Sequence, residues 1–157
     1  MTERNVTHAT FTIERTYDAS PEYVFKAWSD PAIKARWFKG PEDWSQDHYS
    51  LDFRVGGRES DAGTQPGGPT HRYNALFWDI VPNARIVTTY EMHLDDVRIS
   101  VSLGTLELKP EGNGTRLIYT EQGAYLDGYD DAGAREHGTG ELLDALGEEL
   151  RRSAATA

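Results

Sequence analysis

The sequence predicts a single α+β domain, in which a curved antiparallel sheet of about six to seven strands packs around one long C-terminal helix. Segments in which apolar and polar residues alternate, as in half-buried strands, recur between residues 9 and 122. Short turns join most of them, and strands joined by tight turns pair antiparallel. The chain then ends in a Leu-rich segment with helical spacing, long enough to cover one face of such a sheet. A chain of 157 residues fits one domain, and we place its core at about residues 9–152.

The first strand and two short helices are predicted between residues 9 and 38. Residues 9–17 alternate in polarity, with Arg15 on the apolar face, where it either marks the end of burial or reaches a carboxylate. Ser20 followed by proline is a helix start, and Asp30 followed by proline repeats the signal. Gly40 and the proline after it end the second helix. The sheet is therefore interrupted early by two helices that close one end.

Six further strands follow along the chain. They are predicted at residues 47–55, 58–62, 71–81, 85–93, 98–108 and 115–122. Residues 63–69 and 123–131 are predicted loops. Along residues 98–108 the apolar residues change from odd-numbered to even-numbered positions. This change predicts a β-bulge near Gly104.

The last helix is predicted to begin after Asp130 or Asp131 and to end at about Arg152. Its apolar stripe consists of Leu142, Leu143, Leu146 and Leu150. At 100° per residue Arg135 and Thr139 share that face. Four glycines each lower intrinsic helicity by roughly 1 kcal/mol relative to alanine, so packing on the sheet must offset that cost.

Composition excludes several functional classes. The net charge of −10 comes from 26 acidic and 16 basic residues and argues against nucleic-acid and anionic-membrane partners. The absence of cysteine excludes disulfides, thiolate catalysis and iron–sulfur clusters. Residues 1–9 contain no secretory signal, and no apolar stretch approaches about 18 residues. We therefore expect a cytoplasmic protein without membrane insertion, either a monomer or a homodimer.

No motif predicts a cofactor, a metal site or a catalytic residue. The five histidines do not pair at metal-ligand spacing, and glycine motifs for nucleotides are absent. The chain also contains no G-x-S-x-G sequence. Asp52 and Arg54 are expected to form a surface ion pair. If the protein does catalyse a reaction, His71 with Glu121 is the candidate pair for acid–base chemistry.

Several segments, taken in order, resemble the START-like superfamily, also called SRPBCC or birch-pollen-allergen-like. The segments are RTYDASPEYVF at 15–25, WSDP at 28–31, WF at 37–38, DFRVGG at 52–57, DIVPNARI at 79–86, GTRL at 114–117 and TEQGAYLDG at 120–128. More narrowly, the chain is similar to the family of homologues of the activator of the Hsp90 ATPase (AHSA1-like). The resemblance covers about residues 9–152, and its specificity lies in the order and spacing of the segments.

The resemblance implies a helix-grip fold, with a cavity between the curved sheet and the last helix. The aromatic residues expected to line it are Trp37, Phe53, Tyr73, Phe77, Tyr90 and Tyr119. The polar residues that could face the cavity or its mouth are Arg58, His71, Arg98, Glu121, Arg135 and Thr139. Arg135 and Glu121 are expected to pair, since a buried charge needs a partner. Aromatic walls with a few polar groups are typical of small-molecule sites, although the same rings can also simply fill a core.

Three functions remain open from the sequence. The first, which we favour, is a non-enzymatic protein that binds a hydrophobic or aromatic small molecule, such as a lipid, polyketide or flavonoid-like compound. The second is an enzyme of the cyclase or hydratase kind that uses the same cavity. The third is a chaperone-linked interaction domain. Fold-level resemblance alone does not decide among them.

Overall fold

Seven strands and three helices make up the protein in the computed structural model, which describes residues 4–156. In chain order the elements are β1 (Val6–Tyr17), α1 (Pro21–Ser29), α2 (Pro31–Trp37), β2 (Ser45–Leu51), β3 (Arg58–Thr64), β4 (Thr70–Val81), β5 (Arg85–Leu94), β6 (Val97–Glu111), β7 (Gly114–Leu126) and α3 (Ala132–Thr156). All strands join one antiparallel sheet in the order β1-β7-β6-β5-β4-β3-β2. The predicted α+β helix-grip architecture, with two short helices after the first strand, is confirmed.

The two short helices begin where the sequence predicts. Ser20 caps α1, because its side chain accepts a hydrogen bond from the backbone N–H of Tyr23. Asp30 caps α2 by accepting from the N–H groups of Ala32 and Ile33. A proline occupies the first position of each helix, where no N–H is needed. These caps hold α2 against the sheet at one end of the interior.

The strand β7 is longer than predicted. Residues 123–125, predicted to begin a loop, instead pair with both β1 and β6, as in Gly123 with Ala9 and Ser102, and Leu126 pairs with β1. Glycine and alanine have low strand propensity, so the local sequence conceals this extension. The loop is therefore confined to residues 127–131, and β7 reaches the start of α3.

The predicted β-bulge near Gly104 is wrong. The register between β5 and β6 shifts beside Ile99 instead, and from there to Leu108 the even-numbered residues point inward. Val101 is 42% exposed on the outer face. Apolar parity was misleading over residues 100–104, where serine and glycine line the inner face while Val101 and Leu103 occupy the outer one.

The segment after β2 is a turn and not the end of a strand. β2 stops at Leu51, whereas the prediction extended it to residue 55. Gly56 has a φ of +82°, and a Cβ on Gly57 would lie 2.1 Å from the carbonyl oxygen of Asp52. Only glycine fits such a turn without strain. Phe53 consequently enters the interior from a loop.

The helix α3 covers the inner face of the sheet. Asp131 accepts a hydrogen bond from the N–H of Ala134 at the start of the helix, as predicted for a cap. The Tyr17 hydroxyl of β1 donates to the carbonyl oxygen of Leu143 at 2.7 Å, and Arg15 Nε lies 2.9 Å from Asp144 Oδ1. Leu143, Leu146 and Leu150 are buried in the main core. The C-terminal half of α3 thus anchors the helix and leaves its N-terminal half over the rest of the sheet.

Within residues 4–156, no helix is both long and apolar enough to cross a membrane.

Candidate functional site

A cavity of about 860 Å³ lies between the inner face of the sheet, α2 and the N-terminal half of α3. This volume lies within the range of about 300–1,000 Å³ typical of small-molecule sites. The mouth is bordered by the segment that follows α2, by Tyr129 and Asp130 before α3, and by Glu141 and Glu148 on the helix. The cavity is thus formed by the elements that the resemblance indicates.

Ten of the twelve residues predicted to face the cavity or its mouth are in its wall. They are Trp37, Phe53, His71, Tyr73, Phe77, Tyr90, Tyr119, Glu121, Arg135 and Thr139. Their contact with a ligand stays a prediction. The other two are outside it: Arg58 is exposed on the outer face of β3, and Arg98 is exposed beside Glu91. For Arg58 the prediction is wrong by one residue, because side chains alternate along β3 and its neighbour Glu59 is the inward one.

The aromatic residues form a continuous wall. The rings of Tyr73 and Tyr90 are 4.8 Å apart between centroids, and Phe38 meets Tyr73 edge-on at 5.2 Å. Trp37 continues the series, at 5.7 Å from Phe38. Such edge-to-face and offset contacts fix the rings in place. The rings of the wall therefore stabilise one another by direct contact.

A polar cluster around Glu121 lies at the sheet side of the cavity. Glu121 is 1% exposed, and its Oε1 accepts hydrogen bonds from the hydroxyls of Tyr90 at 2.7 Å and Tyr119 at 2.8 Å. Burial, and next the Glu121 carboxylate, raise the pKa of Tyr90 and of Tyr119 well above the usual tyrosine range. Both hydroxyls therefore stay protonated and act as donors to Glu121 at physiological pH.

Arg135 supplies the cation of this cluster. Its guanidinium donates to the Tyr90 hydroxyl and to Ser100, each at 2.9 Å, and it also bonds Asp130. Its Nη1 lies 3.7 Å from Glu121 Oε2, so the expected ion pair is present. Burial by itself lowers the pKa of Arg135, but Tyr90, Asp130 and Glu121 outweigh burial and raise it. The guanidinium thus remains charged inside the protein.

A second polar cluster, which sequence reasoning missed, joins α2 to β3. Lys34 is 3% exposed, and its Nζ lies 2.7 Å from Oε1 of Glu59, which is 1% exposed. The Tyr49 hydroxyl donates to the other oxygen of Glu59 at 2.7 Å, and Lys34 also lies over the Phe38 ring at 4.4 Å. In the sequence, the signal that Lys34 is buried is its spacing of three residues from Trp37. This spacing places both side chains on one face of the helix.

Asp61 belongs to the same side of the cavity. It lies two residues from Glu59 and pairs across the sheet with Tyr73. Burial, and next the charge of Glu59, raise the pKa of Asp61 to about 6. Its Oδ1 is buried and has no hydrogen-bond partner within residues 4–156. The backbone of Ala62 hydrogen-bonds the carboxyl group, so one of its two oxygens is left without the donor that usually accompanies a buried charge.

His71 and Glu121 both line the cavity but do not form the pair considered for acid–base catalysis. His71 Nε2 lies 3.2 Å from the Gln65 side chain, and its ring lies 4.5 Å from that of Trp44 at the mouth. Glu121 is held by two tyrosines and Arg135, and no hydrogen bond joins it to His71 in the described chain. Burial lowers the pKa of His71, which favours a neutral ring.

The remaining polar prediction concerns the surface. Asp52 and Arg54 form the expected ion pair, at 2.9 Å and exposed to solvent. Among the described residues no group of three or more potential metal ligands comes together.

The fold and the interior cavity define the class of protein as a START-like, helix-grip domain. A family model described as "Activator of Hsp90 ATPase homolog 1-like protein" matches residues 18–151, and the chain therefore belongs to that family. No protein with a curated description matches the chain.

Solved structures agree with this assignment. An uncharacterised protein from Rhizobium leguminosarum is 46% identical, with a TM-score of 0.92 over 96% of this chain and 99% of that one. A protein from Rhizobium loti is 50% identical, with a TM-score of 0.86 over 92% and 99% of the two chains. An AHSA1-like protein from Aeromonas hydrophila, 20% identical with a TM-score of 0.71 over 93% and 94%, shares the fold.

Proposed function

We propose that this protein binds a hydrophobic or aromatic small molecule, such as a lipid, polyketide or flavonoid-like compound, in the cavity between the sheet and α3, without converting it. The observation that carries the proposal is the space of about 860 Å³ that the aromatic wall leaves unfilled. A filled core would have no such volume, because protein interiors pack as densely as organic crystals.

The position of the tryptophans provides a direct readout of binding. Trp28, Trp37 and Trp44 line the cavity, whereas Trp78 is 57% exposed and lies outside the cavity lining. A Trp78→Phe background therefore leaves only tryptophans that a bound ligand would contact.

In that background, titration with the neutral apolar dye N-phenylnaphthylamine should quench tryptophan emission to saturation, with no product formed. Thr139→Phe adds a ring to the cavity wall and should weaken binding by about tenfold or more. His137→Phe is the matched control, because the His137 side chain is 79% exposed on the same helix. Quenching that never saturates, or equal weakening in both variants, would contradict the proposal.

A second candidate function, a cyclase- or hydratase-type enzyme, is favoured by Asp61. A carboxyl whose pKa is about 6 and which faces a cavity has the properties of a general acid or base near neutral pH. An enzyme predicts that Asp61→Asn abolishes turnover of a cavity substrate while sparing its binding. Binding of compounds that are recovered chemically unchanged favours the first function.

The proposal also includes the setting in which the protein acts: the cytoplasm, as a monomer or homodimer, with neither a nucleic-acid partner nor a cofactor. The strongly acidic net charge of −10 and the lack of cysteine support this. The family description refers to activation of the Hsp90 ATPase. Stimulation of that ATPase by the purified protein would instead favour a chaperone-linked interaction domain.

A further inference from the structure

We infer that the ligand of this cavity is a neutral or positively charged aromatic molecule that donates hydrogen bonds, and not a carboxylate such as a fatty acid. This inference rests on the proposed binding function and narrows its ligand class. It is carried by two buried carboxylate oxygens in the cavity wall that accept no hydrogen bond within residues 4–156, Glu121 Oε2 and Asp61 Oδ1.

The geometry at Glu121 leaves one oxygen open to a donor. Both tyrosine hydroxyls of the cluster, from Tyr90 and Tyr119, bond Oε1. Oε2 accepts no hydrogen bond, although Arg135 Nη1 lies 3.7 Å away, where it already donates to Tyr90. The buried Tyr125 hydroxyl also acts on the Glu121 carboxylate. A buried carboxylate oxygen without a donor is costly, and a ligand hydroxyl or amine at this position would remove that cost.

Asp61, which pairs with Tyr73 across the sheet, also has one carboxylate oxygen without a hydrogen-bond donor. Glu59, two residues away, takes the side-chain donors Lys34 Nζ and the Tyr49 hydroxyl, each at 2.7 Å. The backbone of Ala62 hydrogen-bonds the Asp61 carboxyl group. Asp61 Oδ1 is left without a donor.

Tyr73 pairs with Asp61 across the sheet, and its ring lies 4.8 Å from that of Tyr90. Since Tyr90 donates to Glu121, Tyr73 lies between the two polar clusters. A planar molecule beside Tyr73 could therefore meet an acceptor at each end.

The cations of the cavity are already neutralised, which disfavours an anionic ligand. The buried Lys34 is paired with Glu59, and Arg135 is bonded to Asp130 and Tyr90. Counting Asp61 and Glu121, the two clusters hold four carboxylates and two cations. A ligand carboxylate would meet repulsion in addition to its own desolvation cost.

The rim of the cavity carries no excess of positive charge. Its exposed cations are Arg36, Lys39 and Arg152, and its exposed acids are Glu42, Glu141 and Glu148. Arg36 is also paired with Glu149 at 3.2 Å. The charges at the mouth therefore do not favour the entry of a negatively charged ligand.

Three probes that share one ring system separate the possibilities: dihydroxynaphthalene, dimethylnaphthalene and naphthalenedicarboxylate. Their affinities for the purified protein are measured by isothermal titration calorimetry at neutral pH. We expect the dihydroxy probe to bind about tenfold or more tightly than the dimethyl probe, since a hydrogen bond to a charged group is worth at least that much. The dicarboxylate should bind most weakly. A bis(aminomethyl)naphthalene, whose alkylamine groups are protonated at neutral pH, tests the positively charged arm and should bind at least as tightly as the dimethyl probe.

The variant Glu121→Gln tests the acceptor directly. Because Tyr90 and Tyr119 donate to Oε1, the glutamine must place its carbonyl there and its NH₂ group at the position of Oε2. The advantage of the dihydroxy probe over the dimethyl probe should then fall by several-fold, as it should in Asp61→Asn. Asp52→Asn, at an exposed carboxylate remote from the cavity, is the matched control and should leave the advantage unchanged.

The outcomes distinguish this inference from the function on which it rests. If no probe binds, both fail. If the dimethyl and dicarboxylate probes bind as tightly as the dihydroxy probe, or if Glu121→Gln and Asp61→Asn keep the full preference, cavity binding stands and the donor-bearing ligand class is wrong. Unchanged binding of the dimethyl probe shows that each variant retains an intact cavity.

Discussion

Lys34 and Glu59 form an ion pair that water does not reach, and both residues lie in the wall of the cavity. Removing two charges from water costs several kcal/mol for each ion, which their attraction repays only with good geometry and further hydrogen bonds. Here Tyr49 supplies the extra hydrogen bond to Glu59, and the Phe38 ring faces the ammonium group. The pair therefore depends on both partners being present.

Replacing one partner should be much more costly than replacing both. Lys34→Met leaves the Glu59 carboxylate buried without its cation and should lower the free energy of unfolding by about 3–5 kcal/mol in urea denaturation. Adding Glu59→Gln should recover most of that loss. Arg98→Met breaks the exposed pair with Glu91 and should cost less than about 1 kcal/mol. Equal losses for Lys34→Met and Arg98→Met would refute the argument.

For single residues, the sequence predicted well which kinds of side chain face the interior. It predicted less well which face of a strand a given residue occupies. The inward rings and Arg135 could be predicted because apolar periodicity and the resemblance agree on them. Arg58 was assigned the inward position that Glu59 holds, because β3 contains too few apolar residues to fix its parity. The partners of Lys34 could not be predicted, since they come from strands distant in sequence.

Among the elements, α3 shows how glycines serve packing. A Cβ on Gly147 would lie 3.2 Å from the Tyr17 ring, and one on Gly140 would lie 3.3 Å from Arg15 Nη2. These are the places where the helix crosses β1. A Cβ on Gly138, in contrast, would meet nothing within 4 Å. Gly140 and Gly147 therefore allow α3 to approach the sheet closely, whereas Gly138 is not needed for that approach.

This difference predicts opposite responses to alanine. Gly138→Ala should raise the free energy of unfolding by about 0.5–1 kcal/mol, because alanine loses less entropy in a helix and meets open space. Gly147→Ala should gain nothing or be destabilising, because its methyl group displaces the Tyr17 ring and strains the hydrogen bond from Tyr17 to Leu143. Chemical denaturation of both variants tests the pair. Equal stabilisation by both would contradict the packing argument.

Element boundaries were predicted well where a local signal exists. The caps at Ser20 and Asp30 are local hydrogen bonds that short sequence motifs specify. The extension of β7 to Leu126 and the shift at Ile99 depend on pairing with partner strands, so no short window contains them. Element boundaries that depend on strand pairing could therefore not be predicted from the local sequence.

For the whole molecule, the order of elements predicted an antiparallel sheet covered by one long helix, the resemblance identified this as a helix-grip fold, and the family match supports it. The size of the cavity was not predictable in the same way. It depends on whether rings such as Tyr73 and Tyr90 fill the space under α3, and the curvature of the sheet decides that as much as residue volume does. The structure has a space of about 860 Å³ there.

Native mass spectrometry of the protein, purified without denaturant from the cells that produce it, tests the central claim most directly. The binding function predicts one noncovalently held small molecule that disappears from the denatured spectrum. The Thr139→Phe variant, produced in the same cells, should carry much less of it. A native spectrum at the bare protein mass, unchanged after incubation with dihydroxynaphthalene, would contradict the claim that the cavity is a ligand site.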